Sequence, residues 1–336
     1  MIRNSDISFV IQGPIQGKSF QPVSEQITRR CAESIRRWFS GAEIIISTWH
    51  GADVSQIPHD ILVLNNDPGP IDLMNSDQAG INSNPNMNRM IVSSASGLSR
   101  ATRPWAVRTR TDMLFTSSAI KRWMAVFPKT NGSQVFQNRV VIPSISTTQY
   151  RRRLESRIFH LSDWLHAGLI GDIRKLWNCA LVSHNQYQDN ERSAISKQRD
   201  RLDIERYSNE QYLWLNLAIN SQLNIAWSHP WDMNRDNQRL FDNFVAQELV
   251  IGDLKRLGVV NLKHHHKPTA TLNNFTFMEW RKLQARSMRS YQDFPMDWET
   301  AWRTLIAGLH NFSGGRLIPF IACASRFSKR LVGKAK

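Results

Sequence analysis

The stretch Trp105-Ala-Val-Arg-Thr-Arg-Thr-Asp112-Met113 constrains this chain more than any other. It reads as a strand that runs straight into a carboxylate. With a period of two, Trp105, Val107, Thr109 and Thr111 share one face, and Ala106, Arg108, Arg110 and Asp112 the other. Two guanidiniums and an acid on one face are costly in an ordinary core, because buried charge has to be paired or put to use. In open α/β sheets, ligands gather at the carboxyl ends of the strands. An acid there can hold a divalent metal, and an arginine there can hold phosphate oxygens. An Arg110–Asp112 ion pair that closes the strand end is the other reading of the same residues.

The surrounding sequence sets the fold class. An apolar strand over residues 7–11 stops at Gln12-Gly13-Pro14, and Ile27, Cys31, Ile35 and Trp38 recur at helical spacing over about 23–38. Strands follow over 43–48 and 61–64, then the turn cluster Asn65-Asn66-Asp67-Pro68-Gly69-Pro70. A helix over 87–98, the strand over 105–111, a helix starting near Ser117 and a strand over 140–143 complete this part. Helices between strands imply a mainly parallel open α/β sheet, since parallel strands need crossovers. Beyond residue 150 the chain turns more helical, with candidates over 172–178, 209–218, 243–257 and 296–309. The expected organisation is one α/β domain over 1–285 and a helical extension over 286–336.

Composition narrows the partners. Of 336 residues, 43 are Lys or Arg against 28 Asp or Glu, a formal charge of +15 that favours polyanions. No zinc-finger, RNP or Gly-Lys-rich signature is present, so nucleic acid is not an expected partner. From Arg316 to Lys336 every charge is basic, and Leu317, Phe320, Ile321, Ala324, Phe327 and Leu331 fall at helical spacing. That is the pattern of a basic amphipathic helix on an anionic membrane surface; packing on the protein's own core is the alternative. No apolar run approaches the ~20 residues of a bilayer span, and the N-terminus lacks the apolar segment of a signal peptide. Cys31, Cys179 and Cys323 lie far apart, which argues against a disulfide framework or a cysteine zinc site. The expectation is a cytoplasmic protein, peripheral on the inner face of the membrane.

Several short motifs carry candidate chemistry. Gln12-Gly13-Pro14 follows the first strand, where glycine lets backbone approach a ligand and Gln12 offers an amide. Neither a Gly-x-Gly-x-x-Gly nor a P-loop pattern is present, which disfavours dinucleotide and P-loop readings. Asn86-Met-Asn88-Arg89 opens a helix, with Asn86 as its cap; helix N-termini attract phosphate, and a bound anion would offset the unfavourable place of Arg89 in the first turn. Asp163-Trp164 sets an acid beside an aromatic ring, as sugars require, and the acid can serve as general base; a helix cap is the other reading. Glu210 begins a helix either as part of its cap or as a second acid. In His264-His265-His266 at most two rings share a side of an extended segment, so a loop is expected, with one histidine as a supplementary metal or phosphate ligand.

Taken in order, these blocks resemble the WavE family of lipopolysaccharide-synthesis proteins. The matching text is Ile7-Ser-Phe-Val-Ile-Gln12-Gly13-Pro14, Cys31-Ala-Glu-Ser-Ile-Arg36, Phe39 to Gly51, Asn65-Asn-Asp67-Pro68-Gly69 and Asn86-Met-Asn88-Arg89-Met. Arg108-Thr-Arg110-Thr-Asp112, Ser162-Asp163-Trp164 and Glu210-Gln211-Tyr212 continue it, over roughly 5–280 in all. The resemblance implies a GT-A type glycosyltransferase that moves sugar from a nucleotide-sugar donor to a lipopolysaccharide-core or capsular acceptor. It implies Gln12, Gly13, Pro14 and Asn88 near the nucleotide, Arg89 and Arg110 on the diphosphate, and Asp112 on a divalent metal (Mn or Mg). It further implies Asp163 as acceptor base, Glu210 as a second catalytic acid and Trp164 against the acceptor. One departure stands out: many GT-A enzymes carry Asp-x-Asp, whereas this chain has Arg110-Thr-Asp112. The rival readings are a phospho-sugar or nucleotidyl transferase, and a non-catalytic membrane scaffold of polysaccharide assembly.

Overall fold

The computed structural model describes residues 2–71, 86–127, 135–148, 157–183, 186, 207–226, 234–263 and 274–287. Its centre is a seven-stranded sheet. The first four strands are β1 (Ile7–Gln12), β2 (Glu43–Trp49), β3 (Ile61–Asn65) and β4 (Trp105–Arg110), followed by a short β5 (Met113–Phe115) outside it. Then come β6 (Val140–Pro143), β7 (Leu165–Leu169), β8 (Leu249–Gly252) and β9 (Val259–Asn261). The spatial order is β3-β2-β1-β4-β7-β6-β8, with β5 and β9 forming a separate two-stranded sheet. Within the seven-stranded sheet all partners are parallel except β7, which runs against both β4 and β6; β5 and β9 pair antiparallel.

Sequence explains the layering. Every residue of β1 is buried, as a strand covered on both faces requires. Phe9 meets Phe39, at the end of α1 (Ile27–Trp38), with ring centroids 4.6 Å apart. Its neighbour Val10 faces α2 (Met87–Arg100), where a Cβ on Gly97 would come within 2.6 Å of it. Adjacent strand residues point to opposite faces, so α1 and α2 cover opposite sides of the sheet. Edge strand β3 alternates, leaving Leu62 and Leu64 partly exposed. Glu43 ties the entry ends of the central strands together, accepting from Ser8 and from the Thr102 amide and hydroxyl.

The remaining helices are α3 (Ile120–Val126), α4 (Ile170–Trp177), α5 (Asn209–Asn220), α6 (Arg235–Glu248), α7 (Leu254–Leu257) and α8 (Phe277–Ser287). Four expectations change. Helix α1 starts at Ile27, preceded by a 3-10 turn at Val23–Glu25. The helix expected over 243–257 is the end of α6, then strand β8, then the single turn α7, because Leu249-Val-Ile-Gly252 pairs in register with Val140–Pro143. The Ser162-Asp163-Trp164 segment caps no helix; it leads into β7. The strand after Trp105 ends at Arg110, and the chain turns through Thr111 and Asp112. The histidine run at 264–266, the helix expected over 296–309 and the basic tail lie outside the described residues. So does Cys323, while Cys31 and Cys179 are free thiols. Among the described residues no helix is long and apolar enough to cross a membrane.

Candidate active site

Strand order reverses between β1 and β4, where the chain, having added β2 and β3 on one side, crosses to the other. A cleft is expected at such a switch point, outside the carboxyl ends of the strands. One of about 560 Å³ lies there. Gln12 and Arg110, paired in register at the ends of β1 and β4, form its floor. Because β7 is antiparallel, its leading residues Asp163 and Trp164 arrive at the same end. The first turns of α2 and α5 contribute Arg89 and Glu210.

Each side chain is set by its local structure. Gly13 has φ +113°, a conformation that favours glycine, and donates its amide to the Ser47 carbonyl at 3.0 Å, which turns the chain off β1 toward Pro14. Gln12 accepts from the Ser93 hydroxyl of α2 at 2.6 Å. Arg110 binds both oxygens of Asp112, through Nε at 3.1 Å and Nη2 at 2.7 Å. Its guanidinium lies 4.7 Å from the centre of the Trp164 ring, and its Nη1 has no hydrogen-bond partner among the described residues. Arg89 is bidentate to Asp67, at 2.7 Å to each oxygen, and also reaches Asn86 at 2.9 Å.

The acid side is built differently. Asp163 is 7% exposed, and its Oδ1 is buried without a hydrogen-bond partner among the described residues. Burial and the neighbouring Glu210 push its carboxyl up to about 6, against the opposing pull of Arg110 and Arg108. Such a group is ionised near neutral pH yet can hold a proton, which suits a general base. The cap of α5 is Ser208, whose hydroxyl accepts from the Gln211 amide at 3.1 Å, so Glu210 is not needed for capping. Glu210 instead lies 3.6 Å from His160 Nε2, while His160 Nδ1 sits 3.1 Å from the Ser146 carbonyl.

Of the expected site residues, Gln12, Gly13, Pro14, Arg89, Arg110, Asp163, Trp164 and Glu210 all line this cleft. Asn88 does not: its amide pairs with the Val182 backbone at 2.8 and 2.9 Å and so anchors α2 to the segment after α4. Asn86 stands at the start of α2, but its side-chain oxygen accepts from Arg89 and makes no cap bond. Trp49 and Lys263 are among the lining residues not picked out as site residues from sequence. Trp49 ends β2, two residues beyond Ser47, the register partner of Gln12. Lys263 reaches the rim because β9 pairs with β5, Met113 opposite Asn261, and the Leu262 amide donates to the Asp112 carbonyl at 2.9 Å. The Lys263-His264 basic run was the only sequence signal for it.

The family described as WavE lipopolysaccharide synthesis matches residues 7–307, nearly the whole chain. The chain belongs to the WavE family. The match extends past residue 285, where the sequence suggested a domain boundary. A search of curated proteins finds no match. Among solved structures, the chain is similar to 4-diphosphocytidyl-2C-methyl-D-erythritol synthase from Anaerococcus prevotii DSM 20548. That pair has a TM-score of 0.33 and 10% identity, over 72% of this chain and 99% of the other, a likeness too low to carry an argument.

For this WavE protein, the acid after β4 does not suit a divalent metal. Asp112 is fully buried, both its oxygens are taken by Arg110, and it is not among the residues that line the cleft. Among the described residues no group of three His, Cys, Asp or Glu side chains is placed to hold a metal. The strand alternation ends at the turn after Arg110, and Asp112 stays paired with Arg110 through that turn. Burial, and the negative charge of Asp112 in addition, push the Cys31 thiol up.

Proposed function

We propose that this WavE protein transfers a sugar from a nucleotide-sugar donor to a hydroxyl of a lipopolysaccharide-core or surface-polysaccharide acceptor, with the GT-A type arrangement that family resemblance implies. The observation that carries the reading is the meeting, in one cleft, of a buried acid, Asp163, and an arginine, Arg110, with an oxygen of the one and a nitrogen of the other unpaired among the described residues.

The chemistry divides along the cleft. Gln12, Gly13 and Trp49 give the amide, close backbone and ring suited to a nucleoside. Arg110 Nη1 and Lys263 face the diphosphate, and stabilise the charge that develops as the anomeric carbon–phosphate oxygen bond breaks. The acceptor hydroxyl attacks the anomeric carbon, and its proton passes to Asp163. Trp164 stacks the sugar region, and Glu210 with His160 stands behind Asp163 as a second acid. Arg89 enters as a support for Asp67 at the rim, with diphosphate contact requiring that pair to open.

Product identity tests the reading. With a panel of nucleotide sugars and deacylated lipopolysaccharide core, the full chain is expected to release nucleoside diphosphate in step with a lengthened acceptor. Release of nucleoside monophosphate from a nucleoside diphosphate sugar would instead identify a phospho-sugar transferase, and release of sugar 1-phosphate a nucleotidyl transferase. Binding to anionic vesicles without turnover of any donor would identify a scaffold.

A further inference from the structure

Arg108 is fully buried in β4, one of the largest side chains to be so. Its Nε donates to Ser94 Oγ in α2 at 2.9 Å, and its Nη1 donates to the backbone carbonyl of Asp163. The guanidinium lies 4.0 Å from the centre of the Trp177 ring in α4. Its Nη2 is buried without a partner among the described residues, as is Asp163 Oδ1. Stability does not account for this arrangement. An apolar side chain of similar length would fill the space without the cost of a buried cation and an unused donor.

Resting on the transferase reading of the cleft, we infer that Arg108 is the positioning residue for Asp163: it fixes the chain through the Asp163 carbonyl and sets a cation behind the carboxylate. The sheet provides the placement. Arg108 pairs in register with His166 on β7, three residues beyond Asp163, so the strand that carries one carries the other. The groups facing Asp163 are Arg108 and Arg110 from β4 and Glu210 from α5. Lys263 at the rim and His160 beside Glu210 complete the charged surroundings. His166 contributes no charge: its Nε2 faces the Ser162 carbonyl at 2.8 Å, its Nδ1 accepts from the Trp177 indole at 3.1 Å, and burial keeps the ring neutral. Arg108 and Arg110 are thus the cations that oppose burial and Glu210 at this acid.

Titration of Asp163 itself tests the assignment. In full-length protein labelled with 13C at aspartate Cγ, the Asp163 signal is the one lost in Asp163→Asn. Arg108→Met is expected to raise its midpoint by about one pH unit or more, a tenfold gain in proton affinity. Arg108→Lys keeps the charge and stays near wild type, while amide exchange quickens over residues 162–165 and not in β1 to β3. An unchanged midpoint in Arg108→Met overturns the inference. Should that variant not fold, Asp163→Asn decides through the Arg108 13Cζ signal. Its deprotonation, which burial lowers to about 9 in the wild type, should fall further, and an unchanged value overturns the inference. No donor sugar is needed for either reading, so failure of transfer alone leaves this result intact.

Discussion

Arg110 holds Asp112 through two parallel bonds, at 3.1 and 2.7 Å, and keeps its third nitrogen on the cleft beside Trp164. The residue pair that the sequence offers either as a metal site or as an ion pair closing the strand end is in the fold the ion pair, in which the buried acid orients the arginine. A fixed guanidinium suits phosphate oxygens better than a loose one, because its donor geometry is already set.

Arg110→Met should therefore do two separable things. It removes a charge-assisted phosphate contact, worth about 1.5–3 kcal/mol, so nucleoside diphosphate affinity falls roughly 10- to 100-fold. It also strands the buried Asp112, lowering unfolding free energy by about 1–3 kcal/mol. Adding Asp112→Asn should restore much of the stability in urea titrations but none of the affinity. Recovery of both together would contradict that orienting role.

Asp163→Asn should lower kcat about 10²- to 10⁴-fold, the usual worth of a general base, with donor affinity nearly unchanged. Wild-type turnover should rise with pH through about 6, as the carboxylate loses its proton. Stability moves the other way. With its pKa raised from 3.8 to about 6, the folded protein binds more protons than the unfolded chain between those values, so stability falls as pH rises through that window. Asparagine mimics the protonated acid and should raise the melting temperature at pH 7.5, by free energy on the order of 2–3 kcal/mol. The gain should shrink toward pH 4. Equal stability of variant and wild type at both pH values would count against a raised Asp163.

His166 gives a pH dependence of opposite sign. Burial depresses its protonation well below 6.5, so the unfolded chain takes up protons there that the folded protein does not. Stability is present above about 6.5 and is lost as pH falls below it. Replacing His166 by Gln should flatten that acid loss in melting curves between pH 7 and 5. The same steep loss in the variant would show that another group is responsible.

Lys263 stands exposed at the rim, held near the site by the β5–β9 pairing and the Leu262–Asp112 backbone bond. Lys263→Ala should weaken nucleoside diphosphate binding several-fold at low salt and much less at high salt, since exposed charge is screened. The melting temperature should not move. A loss of affinity independent of salt would mean a direct contact rather than a field effect.

Much of the fold was legible because its central strands are apolar runs of β-branched residues between turn signals. Ile7–Gln12 and Glu43–Trp49 are of this kind, and Trp105–Arg110 was legible from its period of two. Strand β7 was not, since Leu-His-Ala-Gly-Leu has no β-branched residue, and His166 is buried only because Ser162 and Trp177 complete its hydrogen bonds. The Leu249–Gly252 run was lost for a related reason: four apolar residues continue a helical pattern as readily as they form a strand. At the site, Gln12, Arg110, Asp163 and Glu210 could be picked as isolated chemistry, and the sheet brings them to one cleft. Asn88 could not be separated from Arg89 by sequence, because which side of α2 faces the cleft depends on where Val182 passes. Lys263 and Trp49 depend on tertiary pairing, and Asp112 on a turn that ends the alternation.

The most direct test of the account is binding of a nucleotide and nucleotide-sugar panel to the full chain, with manganese and with a chelator, in wild type, Arg110→Met and Asp112→Ala. The account predicts selective binding of nucleoside diphosphates and their sugars, little changed by chelation and lost in Arg110→Met. Asp112→Ala should weaken it less, by loosening Arg110. Binding that requires manganese and disappears in Asp112→Ala while surviving in Arg110→Met would contradict it.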